Sequence, residues 1–211
     1  MGGTTKASAG VRLGGRSARV REAVLRAALE LLEESEVSDL TVERLAGRAG
    51  VNKTTIYRRW RDLDGLIGDV LLQLGIQRVP IPDTGDFDRD LAELAESLRE
   101  AITGQAGGKV MTALAVAATR SERAAEVLRG FLRERFKKAE IIVTRAVERG
   151  ELPKNIDGIA VIETLGAPFY LRLLVTADPI DVTFSQRAAA AAAAAARAGV
   201  FRDGAPLVAL S

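Results

Sequence analysis

The sequence of 211 residues contains no cysteine and no histidine. Without cysteine there is no disulfide framework and no thiol chemistry, which fits a reducing cytoplasm. Without histidine the chain supplies neither a Ser-His-Asp triad nor a histidine-ligated zinc site. No spacing of carboxylates or lysines points to another reactive centre. We therefore expect no catalytic residues, no metal, no cofactor and no enzymatic activity.

Long apolar segments are also missing from the sequence. The first ten residues, MGGTTKASAG, lack the apolar core of a signal peptide. We find no run of about 18 apolar residues of the kind that forms a transmembrane helix. These absences predict a cytoplasmic protein that does not engage a membrane.

Charge is nearly balanced over the whole chain but is unevenly distributed. The net charge is +2, yet residues 1–61 carry 12 Lys and Arg against 7 Asp and Glu. The remaining 150 residues carry 18 against 21. A basic N-terminal part followed by a mildly acidic body is typical of a DNA-binding domain joined to a domain that does not bind DNA. A merely solvated charged surface is the alternative, and charge alone does not decide between them.

The segment Leu40–Trp60, LTVERLAGRAGVNKTTIYRRW, predicts two short helices joined by a tight turn. Thr41 is a good N-cap for the first helix, and Asn52 for the second. Gly50 permits the positive φ that a turn between them needs. This pattern indicates a helix-turn-helix.

The second of these helices is poorly suited to a protein core. Only Ile56, and part of Trp60, would be buried, while the other side chains are Lys, Arg, Thr and Tyr. Such a face suits the major groove of DNA, where these side chains bond to phosphates and base edges. Tyr57 has the alternative of a core aromatic, and Trp60 is expected to pack rather than to contact DNA.

Each candidate DNA contact has a predicted role. Phosphate contacts are assigned to Thr41, Lys53 and Tyr57. Thymine methyls or base edges are assigned to Thr54 and Thr55, and guanine O6 and N7 to Arg58 or Arg59. The complete set of predicted DNA-binding residues is Thr41, Asn52, Lys53, Thr54, Thr55, Tyr57, Arg58 and Arg59.

The string TVERLAGRAGVNKTTIYRRW, followed by RDLDGLIGDVL, resembles the signature of the TetR/AcrR family of transcriptional regulators. The resemblance is specific over Ala18–Leu74 and weak beyond. It implies an all-helical homodimer that binds an operator, usually as a repressor, and that releases it when a small ligand fills the second domain.

The sequence departs from the family pattern at three places. Thr54 stands where the family commonly has Gly or Ala, and the family's histidine near Arg58 is absent. The fourth helix usually opens with a Ser-Lys pair whose lysine meets a phosphate, but these positions hold Asp62 and Leu63. Asp62 still caps that helix, and the phosphate contact would pass to Arg59 or Arg61.

Apolar periodicity predicts an all-α fold of about nine helices. A three-helix N-terminal helix-turn-helix domain would be joined to a larger helical ligand-binding and dimerisation domain. The predicted divisions are a flexible basic arm (1–16), a DNA-binding domain with its linker helix (17–75), the helical ligand-binding and dimerisation domain (76–199) and a tail (200–211).

Several helices have predicted bounds and features. Helix one runs from Ser17 to Ser35. Arginines 12, 16 and 19 would follow a groove or the phosphates of bound DNA, and a flexible leader without a specific role is the alternative. In the linker helix, glycines 65, 68 and 75 should weaken the helix locally, which would either allow some movement for a switch or only loosen the helix ends. The prolines and glycine of Pro80–Gly85 mark the domain boundary. The later helices are predicted at 86–103, 110–119, 122–149, 157–175 and 181–198, with a bend at Pro168.

The second domain supplies candidates for a ligand pocket and a dimer interface. Each pocket residue is more often core than pocket, and together they favour a small apolar or weakly polar effector. The family resemblance implies that the last two helices, including the alanine run 188–196, pair with those of a second copy. Packing only within the chain is the alternative. The predicted pocket residues are Met111, Thr112, Val116, Phe131, Phe136, Phe169 and Tyr170.

These features predict a DNA-binding transcriptional regulator, and the predicted type is a repressor. Its expected partners are a double-stranded palindromic operator, a second copy of itself and a small-molecule effector. The alternatives are a DNA-binding regulator without small-molecule control and a helical protein-interaction scaffold. The basic face of Lys53, Arg58 and Arg59 speaks against the scaffold.

Overall fold

The computed structural model describes residues 13–35, 39–104 and 106–202. Apart from one isolated bridge between Ile156 and Arg202, the regular structure in these ranges is helical. With α7 and α8 counted as the one long helix that the sequence predicts, the described ranges hold the nine expected helices. The helices are α1 Leu13–Glu34, α2 Val42–Ala49, α3 Lys53–Trp60, α4 Leu63–Arg78, α5 Phe87–Thr103, α6 Gly107–Ala118, α7 Glu122–Ala139, α8 Ile141–Glu148, α9 Gly158–Leu171 and α10 Val182–Arg197.

The chain divides into two compact units, and the first is Met1–Arg61. In this unit α2 packs on α1 and on α3. The apolar stripe of α1 is buried, as its 3.6-residue period predicts. Helix α1 begins at Leu13, inside the predicted arm, and residues 1–12 lie outside the described part. The buried side chains of this unit include Val24, Leu25, Ala28, Leu31, Leu32, Leu45, Ile56 and Trp60.

The second unit is Asp62–Ser211. Its core lies among α5, α8, α9 and α10, around the fully buried rings of Phe87 and Phe169. Helix α4 packs on α5, α6 and α7, all within this unit. The sequence-based division counted α4 with the DNA-binding domain, and Pro80–Gly85 in fact connects two helices that pack against each other. Asp90, fully buried, anchors this connection, because its Oδ1 accepts from the N–H and the hydroxyl of Thr84, each at 2.7 Å.

The alanine run of helix α10 has a buried side and an exposed side. One side packs against α5 and α9 and buries five alanines, while Ala190, Ala191 and Ala194 on the other side are exposed. Both ends of α10 are tied to α5. The Ser185 hydroxyl donates to Glu96 Oε2 at 2.8 Å, and Arg197 pairs with Asp88. The buried alanines are Ala188, Ala189, Ala192, Ala193 and Ala196.

The glycine of α4 at position 68 marks a close helix–helix approach. A Cβ added at Gly68 would lie 2.2 Å from Cγ1 of Val127 on α7. Non-bonded carbons need about 3.5–4.0 Å. The sequence-based interpretation of Gly68 as a weak point of the helix is therefore incomplete, since its missing side chain lets α4 and α7 pack.

Helix α9 ends earlier than predicted and passes into a π-helical segment, Arg172–Thr176. Pro168 lies inside α9, where it lacks the N–H that an α-helix needs. The stretch Gly158–Thr176 is long and apolar enough to cross a membrane by length and composition, with a mean hydropathy of 1.5. A third of this stretch is buried. Because α9 packs against α5, α7, α8 and α10 and contains the buried residues of the stretch, we interpret α9 as a core helix.

Two further boundaries differ from the prediction. The long helix expected over residues 122–149 is interrupted at Glu140, between α7 and α8. The first residues of the predicted tail are ordered, since the Asp157 N–H donates to the Phe201 carbonyl at 2.8 Å. Residues 203–211 lie outside the described part.

Candidate nucleic-acid interface and ligand cavity

The turn between α2 and α3 has the geometry that its residues predict. The Thr41 hydroxyl accepts from the Arg44 N–H at 3.2 Å and caps α2. Gly50 follows α2 at φ 65°, and the Val51 N–H then bonds back to the Ala46 carbonyl at 3.0 Å. This αL ending satisfies the last carbonyls of α2 and directs the chain into α3.

The start of α3 is capped by Asn52. Its Oδ1 accepts from the Thr54 N–H at 3.0 Å and from the Thr54 hydroxyl at 2.9 Å. Asn52 therefore orders the first turn of α3 and fixes the Thr54 side chain at the same time. In the described residues Asn52 acts as a cap and positioning residue.

The two faces of α3 are sharply different. Ile56 and Trp60 are 2% and 5% exposed and hold the helix to its unit. At about 100° per residue, Thr54 and Arg58 lie opposite Ile56, with Tyr57 and Thr55 on either side. Thr54 and Arg58 are both exposed. Tyr57 is 49% exposed, which excludes its alternative as a core aromatic.

The cations of α3 differ in whether they already have partners. Lys53 Nζ pairs with Glu43 Oε1 at 2.8 Å, and this hydrogen bond lowers the pKa of Glu43. Arg59 donates to the Ser17 hydroxyl at 2.8 Å and lies 5.5 Å from the Trp60 ring. Arg58 has no ion-pair or hydrogen-bond partner among the described residues. Its guanidinium is therefore the better placed of the two arginines for a base contact.

The junction after α3 carries an unusual backbone. Arg61 has φ 61°, a region that non-glycine residues rarely adopt. The Asp62 carboxylate then accepts from the Gly65 N–H at 2.8 Å, so it caps the start of α4 as the sequence predicts.

A cavity of about 80 Å³ lies inside the second unit. This is room for several water molecules, each of which needs roughly 10–15 Å³ by the same measure. The walls are largely apolar and come from α4 to α7 and from α9. Arg135 and Tyr170 are the polar side chains of the wall. The lining residues are Leu71, Val79, Leu94, Leu98, Ala101, Ile102, Gly107, Met111, Phe131, Arg135, Phe136, Ala139, Ile162, Leu165, Gly166 and Tyr170.

Four of the seven predicted pocket residues lie at this cavity: Met111, Phe131, Phe136 and Tyr170. The other three lie elsewhere. Val116 is 54% exposed, whereas Met111 and Leu114 of the same helix, α6, are buried. Phe169 is fully buried and packs edge-on against Phe184, with ring centroids 4.9 Å apart. Thr112 is partly exposed and does not line the cavity.

Comparison with known proteins identifies both units. Residues 24–70 match the family "Bacterial regulatory proteins, tetR family", and residues 81–192 match "Tetracyclin repressor-like, C-terminal domain". The chain belongs to the TetR family of transcription regulators. It is a DNA-binding regulator and not an enzyme.

Relatives of known sequence agree with this assignment. The chain is 30% identical over 163 residues to the uncharacterized HTH-type transcriptional regulator YdeS of Bacillus subtilis, covering 77% of this chain and 82% of the relative. It is 36% identical over 151 residues to the HTH-type transcriptional regulator AqdR of Rhodococcus erythropolis, covering 72% of each.

Solved structures share the fold. The TetR family transcription regulator SCO0332 superposes with a TM-score of 0.76 at 29% identity, covering 83% of this chain and 97% of that protein. RolR, solved in complex with resorcinol, superposes with a TM-score of 0.61 at 18% identity, covering 93% and 98%. The second likeness concerns the fold alone.

Sequence reasoning missed one polar residue of the cavity. Arg135 stands on α7 four residues after Phe131 and four before Ala139, on the side that both of these bury. An arginine at the centre of an apolar stripe is the signal that identifies it. The apolar lining from α5 and α9 has no comparable signal, because ordinary core residues form the same pattern.

Proposed function

We propose that this TetR-family protein is a homodimeric repressor that binds a palindromic operator and releases it when a small, largely apolar effector occupies the cavity. The proposal rests on the exposed polar face of α3. This helix is held inward by Ile56 and Trp60 and turns an exposed polar face, with the unpartnered Arg58 at its centre, away from its unit. A regulator that binds its target needs a face of this kind.

The α3 side chains divide into base-reading and backbone-positioning groups. Thr54 and Arg58 lie on the outermost line of α3 and would contact base edges, with Arg58 on guanine. Lys53 and Tyr57 would contact phosphates, and Lys53 must then exchange its bond to Glu43 for one to DNA. Of the other predicted DNA contacts, Thr55 lies at the side of this face and Thr41 is the exposed N-cap of α2, while Arg59 would hold α1 and α3 together.

Dimerisation is proposed through α9, α10 and the segment between them. Leu171, Leu174, Val175 and Val182 are 40–73% exposed, an unusual amount for large apolar side chains. The exposed alanines of α10 extend this surface and would allow a second helix to approach closely. Exposed apolar patches of this kind mark interaction sites. A two-fold dimer would place two α3 helices about 34 Å apart, one turn of duplex.

The effector would act through α4. Leu71 of α4 lines the cavity, and only two residues separate the end of α3 from the start of α4. A ligand that prefers a displaced α4 would shift the population towards a state in which the two α3 helices no longer match the operator spacing. RolR binds resorcinol in its solved structure, which supports a small-molecule effector for this fold. Action on DNA implies a cytoplasmic location.

Selection of DNA from a random duplex pool, at fixed salt near physiological, tests the proposal. The expected result is a palindrome with two half-sites about 10 base pairs apart, bound by protein that sedimentation shows to be a dimer. Selection of an unsymmetrical single site would contradict the dimeric operator. Failure to select any sequence, with folded dimeric protein that has been unfolded and refolded to remove ligand, would contradict operator binding.

A further inference from the structure

The cavity of the second unit combines apolar walls with a single cation. Aromatic and aliphatic residues of α5, α7 and α9 make up most of its lining, including Phe131, Phe136 and Leu165. The charged residue in this lining is Arg135 of α7. Cavities that bind small molecules commonly have this composition, in which a few polar groups set the orientation of the ligand.

Arg135 has a hydrogen-bond partner but no counterion. Its Nη2 donates to the Val79 carbonyl at 2.9 Å, and the described residues place no carboxylate within ion-pair distance. Burial lowers the pKa of Arg135, yet an arginine remains protonated in proteins. The guanidinium has five N–H donors, and one of them is used here. A charge that is partly withdrawn from water and lacks a counterion favours the entry of an anion.

Tyr170 lines the same cavity and adds a neutral donor. Its hydroxyl has no hydrogen-bond partner among the described residues. Burial raises the pKa of Tyr170 to about 12, an effect that the nearby charge of Arg135 partly offsets. The phenol therefore keeps its proton at neutral pH, and it lines the same cavity as the Arg135 guanidinium.

We propose that the cavity binds a compact organic carboxylate with an apolar body, whose carboxylate is held by Arg135 and Tyr170. A carboxylate matches the forked geometry of a guanidinium, which forms two parallel hydrogen bonds to it. The apolar body would occupy the space among Phe131, Phe136 and Leu165. This inference rests on the effector site of the proposed function and specifies the chemical class of the effector.

The alternatives in ligand chemistry satisfy only part of the cavity. A neutral hydrocarbon would cover the apolar walls and leave the guanidinium without a counterion and further removed from water, which is costly. An inorganic anion would pair with Arg135 and leave the apolar walls in contact with water. An amphipathic acid satisfies both parts, because its carboxylate can accept from the Tyr170 hydroxyl and from the N–H groups of Arg135 that do not bond to Val79.

Direct binding to the full-length protein without DNA tests the proposal, with a matched pair of probes. Calorimetric titration at pH 7 would compare 4-ethylbenzoate with 4-ethylbenzamide, which has nearly the same shape and no charge. We expect the benzoate to bind at least about tenfold more tightly than the amide, because its hydrogen bonds are charge-assisted. Equal or weaker binding of the benzoate would overturn the proposal, as would binding of neither probe at millimolar concentration.

Variants locate the site. Arg135→Met keeps an unbranched side chain and removes the charge, and it should abolish the preference for the benzoate. Tyr170→Phe should weaken benzoate binding several-fold, and it tests the same site if Arg135→Met does not fold. Arg133→Met changes an exposed arginine on the same helix and should have no effect. An undiminished preference for the benzoate in Arg135→Met would overturn the assignment, as would an undiminished affinity for the benzoate in Tyr170→Phe if only that variant folds.

Blocking the cavity separates this site from surface binding. The missing side chain of Gly166 faces the rings of Phe136 and Tyr170, and an added Cβ would lie 3.7 Å from each. Gly166→Leu should fill the cavity and eliminate binding of both probes, and unchanged affinity would overturn the location. Because DNA is absent from these titrations, a failure here leaves operator binding intact, whereas failure of the duplex selection contradicts the regulator itself.

Discussion

Replacing Gly68 with alanine should destabilise the protein, although the same change at an open helical position should stabilise it. A Cβ at position 68 would lie 2.2 Å from Val127 Cγ1. Valine is β-branched and has one strongly preferred rotamer in a helix, so the methyl group cannot turn away freely. The backbone of α4 or α7 would have to move instead.

The expected magnitude follows from two opposing terms. Alanine in a helix interior gains about 1 kcal/mol over glycine. Overpacking a well-packed contact costs about 1–3 kcal/mol, and the short distance at Gly68 favours the upper part of that range. We therefore expect the free energy of unfolding to fall by about 1–2 kcal/mol. In a Val127→Ala background the clash disappears, so the same glycine substitution should be neutral or stabilising.

Urea unfolding, followed by far-ultraviolet circular dichroism, would measure the four proteins of this double-mutant cycle. The expected coupling energy between positions 68 and 127 is about 1–3 kcal/mol. Gly130 provides the control, since it is exposed in the middle of α7 and an added Cβ would have nothing within 4 Å. Gly130→Ala should raise stability by about 0.5–1 kcal/mol. If Gly68→Ala stabilises as much as Gly130→Ala, or if the coupling is zero, the close helix contact does not exist.

The remaining predictions concern DNA contacts, backbone strain and pH. Lys53→Ala should weaken binding to all duplexes and reduce the slope of log affinity against log salt by about one, and an unchanged slope would exclude a phosphate contact. Arg58→Ala should cost about 1–3 kcal/mol on the selected operator and relax the preference at one base pair of each half-site, whereas an equal loss on every sequence would make it a backbone contact. Ala177 follows the π-helical segment and has φ 55°, in the left-handed region. Ala177→Gly should therefore relieve about 1 kcal/mol of backbone strain and raise the melting temperature. A lower melting temperature would contradict the αL conformation. The hydrogen bond from Arg99 lowers the pKa of Glu96 below its usual 4.5. The ionised Glu96 carboxylate therefore stabilises the folded protein above pH 4.5, and this stabilisation is lost as the pH falls through the lowered pKa of the folded state. The urea concentration at the unfolding midpoint should therefore fall less for Glu96→Gln than for wild type as the pH is lowered from neutral. An equal fall in both proteins would show that Glu96 does not contribute to the pH dependence of stability.

Local signals in the sequence were sufficient for the helix-turn-helix. Thr41 and Asn52 act through hydrogen bonds that span two or three residues, and Gly50 acts through its own backbone, so the sequence determines them without knowledge of the rest of the fold. The burial of Ile56 and the exposure of Arg58 follow from their positions on one helix turn. The DNA contacts assigned to this face stay predictions until an operator is known.

The cavity required information that is not local. Val116 and Met111 stand on the same apolar helix, and only the packing of α6 on α4 and α7 decides which of them faces inward. Arg135 was overlooked because charged residues on a helix are usually solvent-exposed. No glycine or proline marks the interruption of the helix at Glu140 in the sequence. The close contact at Gly68 involves Val127, a residue 59 positions further along the chain.

The length of the alanine run sets the spacing and the relative rotation of the two ends of α10. Identical small side chains carry no information about register, so a shift along the run leaves the buried surface almost unchanged. Register is instead set at the two ends, where Ser185 meets Glu96 and Arg197 meets Asp88. Loss or gain of a single alanine would turn one end by about 100° relative to the other and break one of these ties. The number of alanines, more than the identity of any one of them, is thus what this helix has to preserve.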